Sequence, residues 1–483
     1  MKKTIILLMI LSFTVHVAYS QILSKNAFRF ENDPLPELKS NSITDIVVVD
    51  ENTIWLATGK GLSKTEDGGL SWKTYTQKQG LGKGGVSALA IRDSIIWVAT
   101  AFDTIVLDEH VSAGGGLTYS TNYGDTWTHI PQPEPGGDWT IIDNVTYDIA
   151  IMDSAIWVAS FGGGLMKSLD MEGKNWIVRP PDAYNFNPDE YLNHRVFSLL
   201  AVGDTLWVGT AEGINVSYDA GKSWETQFTH QNQDLPISGN FVVALALQEI
   251  EGKQYIWAAT INAEGTDEVR AVSKTEDGGR SWATYLECKF TYNLAFHGNE
   301  TYAATDSGLW KSPDGGPTWD VFPQIIDGSG KEKIYTMEYY AVGVTPNNVL
   351  WIGTADGLAI TSDNGYEWTI LRAFIKPGEK GEPRVYAYPN PFTPLRYNQF
   401  GGDGFIRFQF NTKNPTHATI RIFDFAMDLI TSIDGGSWAG NQDCAVAWNC
   451  RDGNNHLLAN GTYFYQLDLE GDGKYWGKIV IID

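Results

Sequence analysis

The chain has 483 residues, 43% of them hydrophobic, enough for a large core and for more than one domain of typical size. Its 58 acidic residues outnumber 35 basic ones, for a formal charge of −23. That balance excludes nucleic acid and anionic membrane surfaces as partners, because both need basic patches. Fifty glycines, 18 tryptophans, 22 tyrosines and 21 phenylalanines favour short strands joined by tight turns. No stretch sustains a helical period, so the expected class is all-β.

In chain order, residues 1–20 read first as a secretory signal. Lys2 and Lys3 form a basic start, residues 4–17 an apolar run, and Ala18-Tyr19-Ser20 a small-x-small cleavage site before Gln21. The run is too short to span a bilayer, and no later segment is apolar enough, so no membrane span is expected in the mature chain. Cleavage after Ser20 places the protein outside the cell or on its outer surface. Residues 21–42 form an N-terminal extension with no assigned place.

From residue 43 to residue 374 one unit repeats seven times. Trp72, Trp127, Trp176, Trp224, Trp282, Trp319 and Trp368 each close nearly the same phrase, clearest in Thr65-Glu66-Asp67-Gly68-Gly69-Leu70-Ser71-Trp72. Six copies have Ser or Thr seven residues before the Trp and Gly three before it. Five of these have Asp five before it (Asp67, Asp219, Asp277, Asp314 and Asp363), and one has Asn122. The third copy carries one extra residue between Ser168 and Trp176, which puts Asp170 out of register. The spacing averages about 49 residues, the range of a four-stranded propeller blade.

Each unit reads as four strands. A first apolar strand (43–49, 88–91, 147–152, 197–202, 241–247) leads through a short polar turn to a second strand. That strand has its own phrase, Ile54-Trp55-Leu56-Ala57-Thr58 in the first copy and Leu350-Trp351-Ile352-Gly353-Thr354 in the last. Small residues alternating with large ones fit closely packed neighbouring sheets. A third strand, such as 357–361, leads into the Asp-Gly turn, and a fourth begins at the Trp. The turn carboxylate accepts backbone N–H bonds and Gly supplies a positive φ. These acids therefore read as structural. None has the alternating oxygen ligands of a calcium loop.

The phrase resembles the Asp-box, or BNR, repeat of sialidases, sortilin-type receptors and several glycoside hydrolases, over residues 43–374. The second-strand phrase is also similar to propeller repeats of bacterial two-component sensors. The resemblance implies a seven-bladed β-propeller with the boxes on the side away from any active site.

In such a meander, first-to-second and third-to-fourth connections share one face. Second-to-third and between-blade connections share the other, which holds the long segments 101–116, 129–144, 178–195, 227–240, 261–269 and 323–333. Loops on a rigid scaffold carry function. Candidate ligand-binding residues are therefore Asp108, Glu109, Asp138, Trp139, Tyr184, Asp189, Glu190 and Tyr191, with His110, Asp143, Phe186 and His194 nearby. Exposed rings beside carboxylates suit sugars, and a carboxylate pair also suits glycosidase acid–base chemistry. The alternative is that loop rings pack the loops down and loop acids are solvated. Asp108-Glu109-His110 could bind a metal, but adjacent ligands on one short stretch are a weak signal, and neither metal nor cofactor is expected. No Arg-Ile-Pro motif occurs, and only Arg179, Arg195 and Arg270 lie near this face, which departs from sialidases. Xyloglucanase-like Asp-box enzymes pair two propellers, where this chain has one.

Residues 375–383 form a linker, and 384–483 a second domain of six or seven short strands, among them 406–410, 418–424, 444–448, 461–469 and 477–482. That count suits a β-sandwich. Trp448, Asp452-Gly453, Gly461-Thr462-Tyr463-Phe464-Tyr465 and Gly477-Lys478-Ile479-Val480-Ile481 resemble the Ig-like domain of flagellar hook-capping proteins and the C-terminal sorting domain of the type IX secretion system. The resemblance implies export with the secretion machinery as partner. The ending Ile482-Asp483 departs from the usual basic end, which leaves a plain structural domain open. Cys288, Cys444 and Cys450 read as buried thiols, the last two too far apart on one extended strand to bridge.

The leading expectation is a secreted or surface-displayed binding module holding a glycan or protein on the long-loop face. Alternatives are a glycoside hydrolase using two loop carboxylates and a protein-complex assembly factor.

Overall fold

The computed structural model describes residues 37–136, 140–153, 155–224, 226–263, 265, 267–379, 381–394 and 404–482. The expected signal and most of the N-terminal extension lie outside these residues, as do Asp138 and Trp139. Among the described residues, the chain divides into one unit of 37–328 and 338–372 and another of 329–337 and 373–482.

The first unit is a seven-bladed β-propeller. It contains seven four-stranded antiparallel sheets, each with its strands in sequence order. The first strands are Ile43–Val48, Gly85–Arg92, Thr146–Ile151, Val196–Val202, Phe241–Ile250, Thr291–His297 and Tyr339–Val344. They pack on one another around the ring, and the last packs on the first. The seventh blade owns all four of its strands, so the ring closes by side-chain packing rather than by a shared sheet. Gly353 makes that approach possible, since a Cβ there would lie 2.7 Å from the Ile43 side chain.

The repeated tryptophans explain why the blades stack. Each box Trp meets the second-strand Trp of the preceding blade edge-on. Trp127 meets Trp55, Trp176 meets Trp97, Trp224 meets Trp157, Trp282 meets Trp207, and Trp319 meets Trp257. Trp72 closes the circle on Trp351, at a centroid separation of 6.3 Å. Edge-to-face geometry at such distances adds to the large apolar area each indole buries. Blade 6 has Tyr302 in place of Trp, and there Trp368 packs on Phe322 instead. In blades 1 to 4 the box glycine lies under the same second-strand rings. A Cβ on Gly221 would come within 2.2 Å of Trp157, and its φ is +74°.

Every first strand also carries a β-bulge near its start, for example between Ile43 and Asp45, Val196 and Ser198, and Tyr339 and Ala341. A bulge adds one residue and sharpens the local twist. In blades 3, 4, 6 and 7 the extra residue is aromatic: Tyr147, Phe197, Tyr292 and Tyr340.

In the second unit, a three-stranded sheet (Val385–Tyr388, Ile406–Asn411, Asp443–Trp448) and a four-stranded sheet (Leu429–Trp438, Thr416–Phe423, Gly461–Leu469, Gly473–Ile481) enclose one core. That core includes Phe408, Phe410, Ile420, Ile422, Trp448 and Leu467.

Three expectations need correction. Residues 101–116 are not a loop. The second and third strands of blade 2 run on as Ile95–Val106 and Glu109–Ser120, paired as far as Val106 and Glu109. Cys288 is exposed, and Cys450 lies beyond the strand that holds Cys444. Residues 329–337 fall inside the expected propeller span 43–374, with 329–333 in the expected long connection 323–333, but group with the second unit.

Candidate ligand-binding face

The box turns use their carboxylates internally. Asp67 Oδ1 accepts from Thr65 Oγ1 (2.8 Å) and Ser71 N (2.8 Å), and Gly69 N donates to Thr65 Oγ1 (2.9 Å). The same bonds recur at Asp219, Asp277 and Asp314, and Asp363 takes the N–H of Glu367 in place of a Ser or Thr. Asn122 does the same with its amide oxygen, accepting from Thr126 N at 3.0 Å. In the third copy Asp170 absorbs the extra residue by accepting from Lys174 N and Asn175 N. Hydrogen bonds from Ser71 hold the Asp67 carboxyl below the ordinary range, and bonds from Ser223 and Ser217 do so at Asp219.

The opposite face carries a built cluster in the connection between blades 3 and 4. Tyr184 and Tyr191 stack with centroids 4.9 Å apart and planes 10° apart. Tyr184 stays 62% exposed, which leaves an outer ring face open. Behind the pair lies a buried anchor. His194 Nδ1 accepts the N–H of Asn187 (2.9 Å), so Nε2 carries the proton and donates to Asp182 Oδ1 (3.0 Å). Asn193 Nδ2 donates to Asp182 Oδ2 (3.0 Å). Burial opposes the Asp182 charge, but these bonds outweigh it and lower the carboxyl's pKa. Arg195 Nε donates to Pro188 O (2.6 Å), and its guanidinium lies 5.2 Å from the Phe161 ring centroid.

Asp189 and Glu190 are exposed on this segment. Asp143, from the connection between blades 2 and 3, is exposed, and partial desolvation by its neighbours and then the Asp189 charge raise its pKa. The two connections thus bring carboxylates into electrostatic reach. Asp108 and Glu109 sit elsewhere, at the tip of the blade 2 hairpin, where Leu107 and Asp108 both take positive φ.

Several contributors were not singled out from the sequence. Asp182 sits between Pro181 and Ala183 and shows no pattern of its own. Asp45 and Asp148 follow the first-strand bulges of blades 1 and 3. Burial pushes their carboxyls up to about 6 and about 7, although both side chains keep some solvent contact. Asp148 also ties blades together, accepting from Leu199 N at 2.7 Å. Third-strand lysines form a further set, visible in retrospect as Lys before the box Ser or Thr at Lys64, Lys167, Lys274 and Lys311. Among the described residues no group of three or more His, Cys, Asp or Glu side chains is placed to hold a metal ion. No helix among them is long and apolar enough to cross a membrane.

No protein family matches the chain by sequence, and no curated protein does. Among solved structures the chain is similar to the GH74 enzyme of Niastella koreensis, at 12% identity and a TM-score of 0.50 over 93% of this chain and 74% of that one. It is similar to an ancestral GH74 enzyme at 16% identity and a TM-score of 0.51, over 92% of this chain and 63% of that one. PorZ, a surface component of the type-IX secretion system of Porphyromonas gingivalis, aligns at 16% identity and a TM-score of 0.44, over 92% of this chain and 66% of that one. At such identities the likeness to the two GH74 enzymes shows a shared β-propeller fold and nothing of chemistry.

Proposed function

We propose that the propeller is a secreted or surface-displayed binding module that holds a glycan or a protein on the face bearing the Tyr184–Tyr191 stack. The observation that carries this reading is an open tyrosine face fixed by a buried His194–Asp182–Asn193 anchor. A pre-set ring loses little freedom when a sugar or an apolar side chain stacks on it. Asp189 and Glu190 supply acceptors beside it for hydroxyl or amide donors. A screen against polysaccharides and surface proteins should return a ligand whose affinity falls about tenfold or more in Tyr184→Ala, the range of an aromatic hot spot. Binding that is equal in Tyr184→Ala and Tyr191→Ala would remove the face from consideration.

One observation favours a second reading, glycoside hydrolysis. Asp143, its pKa raised in part by the neighbouring Asp189, is suited to the general acid, and Asp189 to the base or nucleophile. Release of reducing ends from a glycan, abolished by Asp143→Asn and by Asp189→Asn, is the outcome that separates catalysis from binding.

For residues 384–483 we propose an Ig-like sorting role in type IX export, on the resemblance of the motifs around Trp448, Gly461–Tyr465 and Gly477–Ile481. Removing 384–483 should then leave the propeller in the periplasm. Unchanged export of the truncated chain would leave the segment a structural role alone.

A further inference from the structure

One position in the third strand recurs around the ring with different residues. It lies directly opposite the second-strand aromatic. Lys64 faces Trp55, Lys167 faces Trp157 and Lys274 faces Trp257. In all three blades the ammonium lies 4.9 Å from the indole centroid. Each ammonium also donates to a box-turn carbonyl of the next blade: Tyr123 O (3.2 Å), Ala220 O (3.2 Å) and Gly315 O (2.8 Å). Blade 2 fills the position with Tyr119, stacked 4.9 Å from Trp97, and blade 7 with Ile360.

Blade 4 differs. Its residue is Val216, opposite Trp207. Valine has neither the reach nor the charge to meet the next blade. A cavity of about 260 Å³ opens beside Trp207, lined also by Tyr218, Gln254, Ile256, Thr275 and Gly278. Gly278 is the third residue after Thr275, as Tyr123 is after Ser120, Ala220 after Ser217 and Gly315 after Ser312. The cavity is therefore walled by the same indole and the same turn position that hold a lysine end in blades 1, 3 and 5. Tyr218 stands where Glu66 pairs with Lys64 in blade 1, and it adds a second, half-exposed ring.

We propose that this cleft between blades 4 and 5 binds a primary alkylammonium group, the chemistry of a lysine side chain or a short amine. The protein shows three times over what such a wall accepts: a cation on an aliphatic stem, over an indole, with a carbonyl as hydrogen-bond acceptor. The net charge of −23 favours a cationic guest. The site lies on the box-turn face and stands independently of the role given to the tyrosine stack.

The test follows the indole N–H signal of Trp207, assigned by Trp207→Phe, in the ¹⁵N-tryptophan-labelled full chain during titration with n-butylammonium. A saturable shift is expected, with none from n-butanol, which has the same stem without charge. Val216→Lys supplies the ammonium in cis and should abolish the shift. Should that variant not fold, Tyr218→Ala removes the exposed ring and should weaken binding about 3- to 10-fold. Nα-acetyl-lysine N-methylamide forms a second arm. Binding of both probes assigns the cleft to a lysine of a partner, and binding of the amine alone to a free amine. Either supports the site. No saturable shift up to about 100 mM, an equal shift with n-butanol, or an undiminished shift in both variants overturns it.

Discussion

The two classes of unusual aspartate carry opposite pH dependence. The box carboxylates of Asp67, Asp219, Asp314 and Asp363 have lowered pKa values because their turns donate hydrogen bonds to them. A group whose pKa is depressed by folding contributes stability above the ordinary carboxylate range, and that contribution is lost as pH falls through the folded value. Asp67→Asn should therefore be tolerated at neutral pH better than Asp67→Ala, because Asn122 already makes the same turn bonds in blade 2. Midpoints of urea unfolding at pH 7 check the order. Asp148 behaves in reverse. Its folded pKa is raised from 3.8 to about 7, so the protonated form is favoured in the fold, and stability is lost as pH rises through that window. The melting temperature of Asp148→Asn minus that of the unsubstituted chain should grow between pH 4 and pH 7 and then level off. A difference that does not change with pH would show that Asp148 titrates alike in the folded and unfolded chains.

At the scale of the element, the box turn succeeds because one glycine meets two demands at once. Gly221 needs a positive φ and must also clear the Trp157 ring. Gly203, in the first-to-second turn of the same blade, also has positive φ, yet a Cβ there meets nothing within 4 Å. Gly203→Ala should cost about 1 kcal/mol, the penalty of a left-handed alanine. Gly221→Ala should cost roughly 2–4 kcal/mol, because overpacking adds to it. Urea denaturation of the two variants measures the gap. The turn was legible in the sequence because its Ser/Thr, Asp, Gly and Trp act through local bonds at fixed spacing. The blade 2 hairpin was not. Its tip turns at Leu107-Asp108 without the Asn-Gly or Asp-Gly pair that marks such turns, so its β-branched run Thr104-Ile105-Val106 had no visible end. At the candidate face, the rings Tyr184 and Tyr191 were legible as aromatics on a long loop. The anchor beneath them was not, since His194, Asp182 and Asn193 meet only when the segment folds back on itself.

For the propeller as a whole, closure is the main energetic fact. Trp351 is buried at the seam between blades 7 and 1, and Trp157 at the seam between blades 3 and 4. Each →Ala change should cost about 3–5 kcal/mol, the usual price of removing a core aromatic. Comparable losses are the signature of a ring whose closing seam bears the same load as the rest. A much smaller loss for Trp351→Ala would mean that blades 7 and 1 separate readily. The lysines make the circle less uniform than its tryptophans. They cross from blade 1 to 2, from 3 to 4 and from 5 to 6, while Lys311 turns back to Glu300 of its own blade. Counted by these lysine bridges alone, the ring is three doublets and a singlet, seven sheets in four groups. Amide hydrogen exchange should show the four seams without a lysine bridge, 2–3, 4–5, 6–7 and 7–1, breathing before the three bridged ones, so that the propeller loosens in pairs of blades and not one blade at a time.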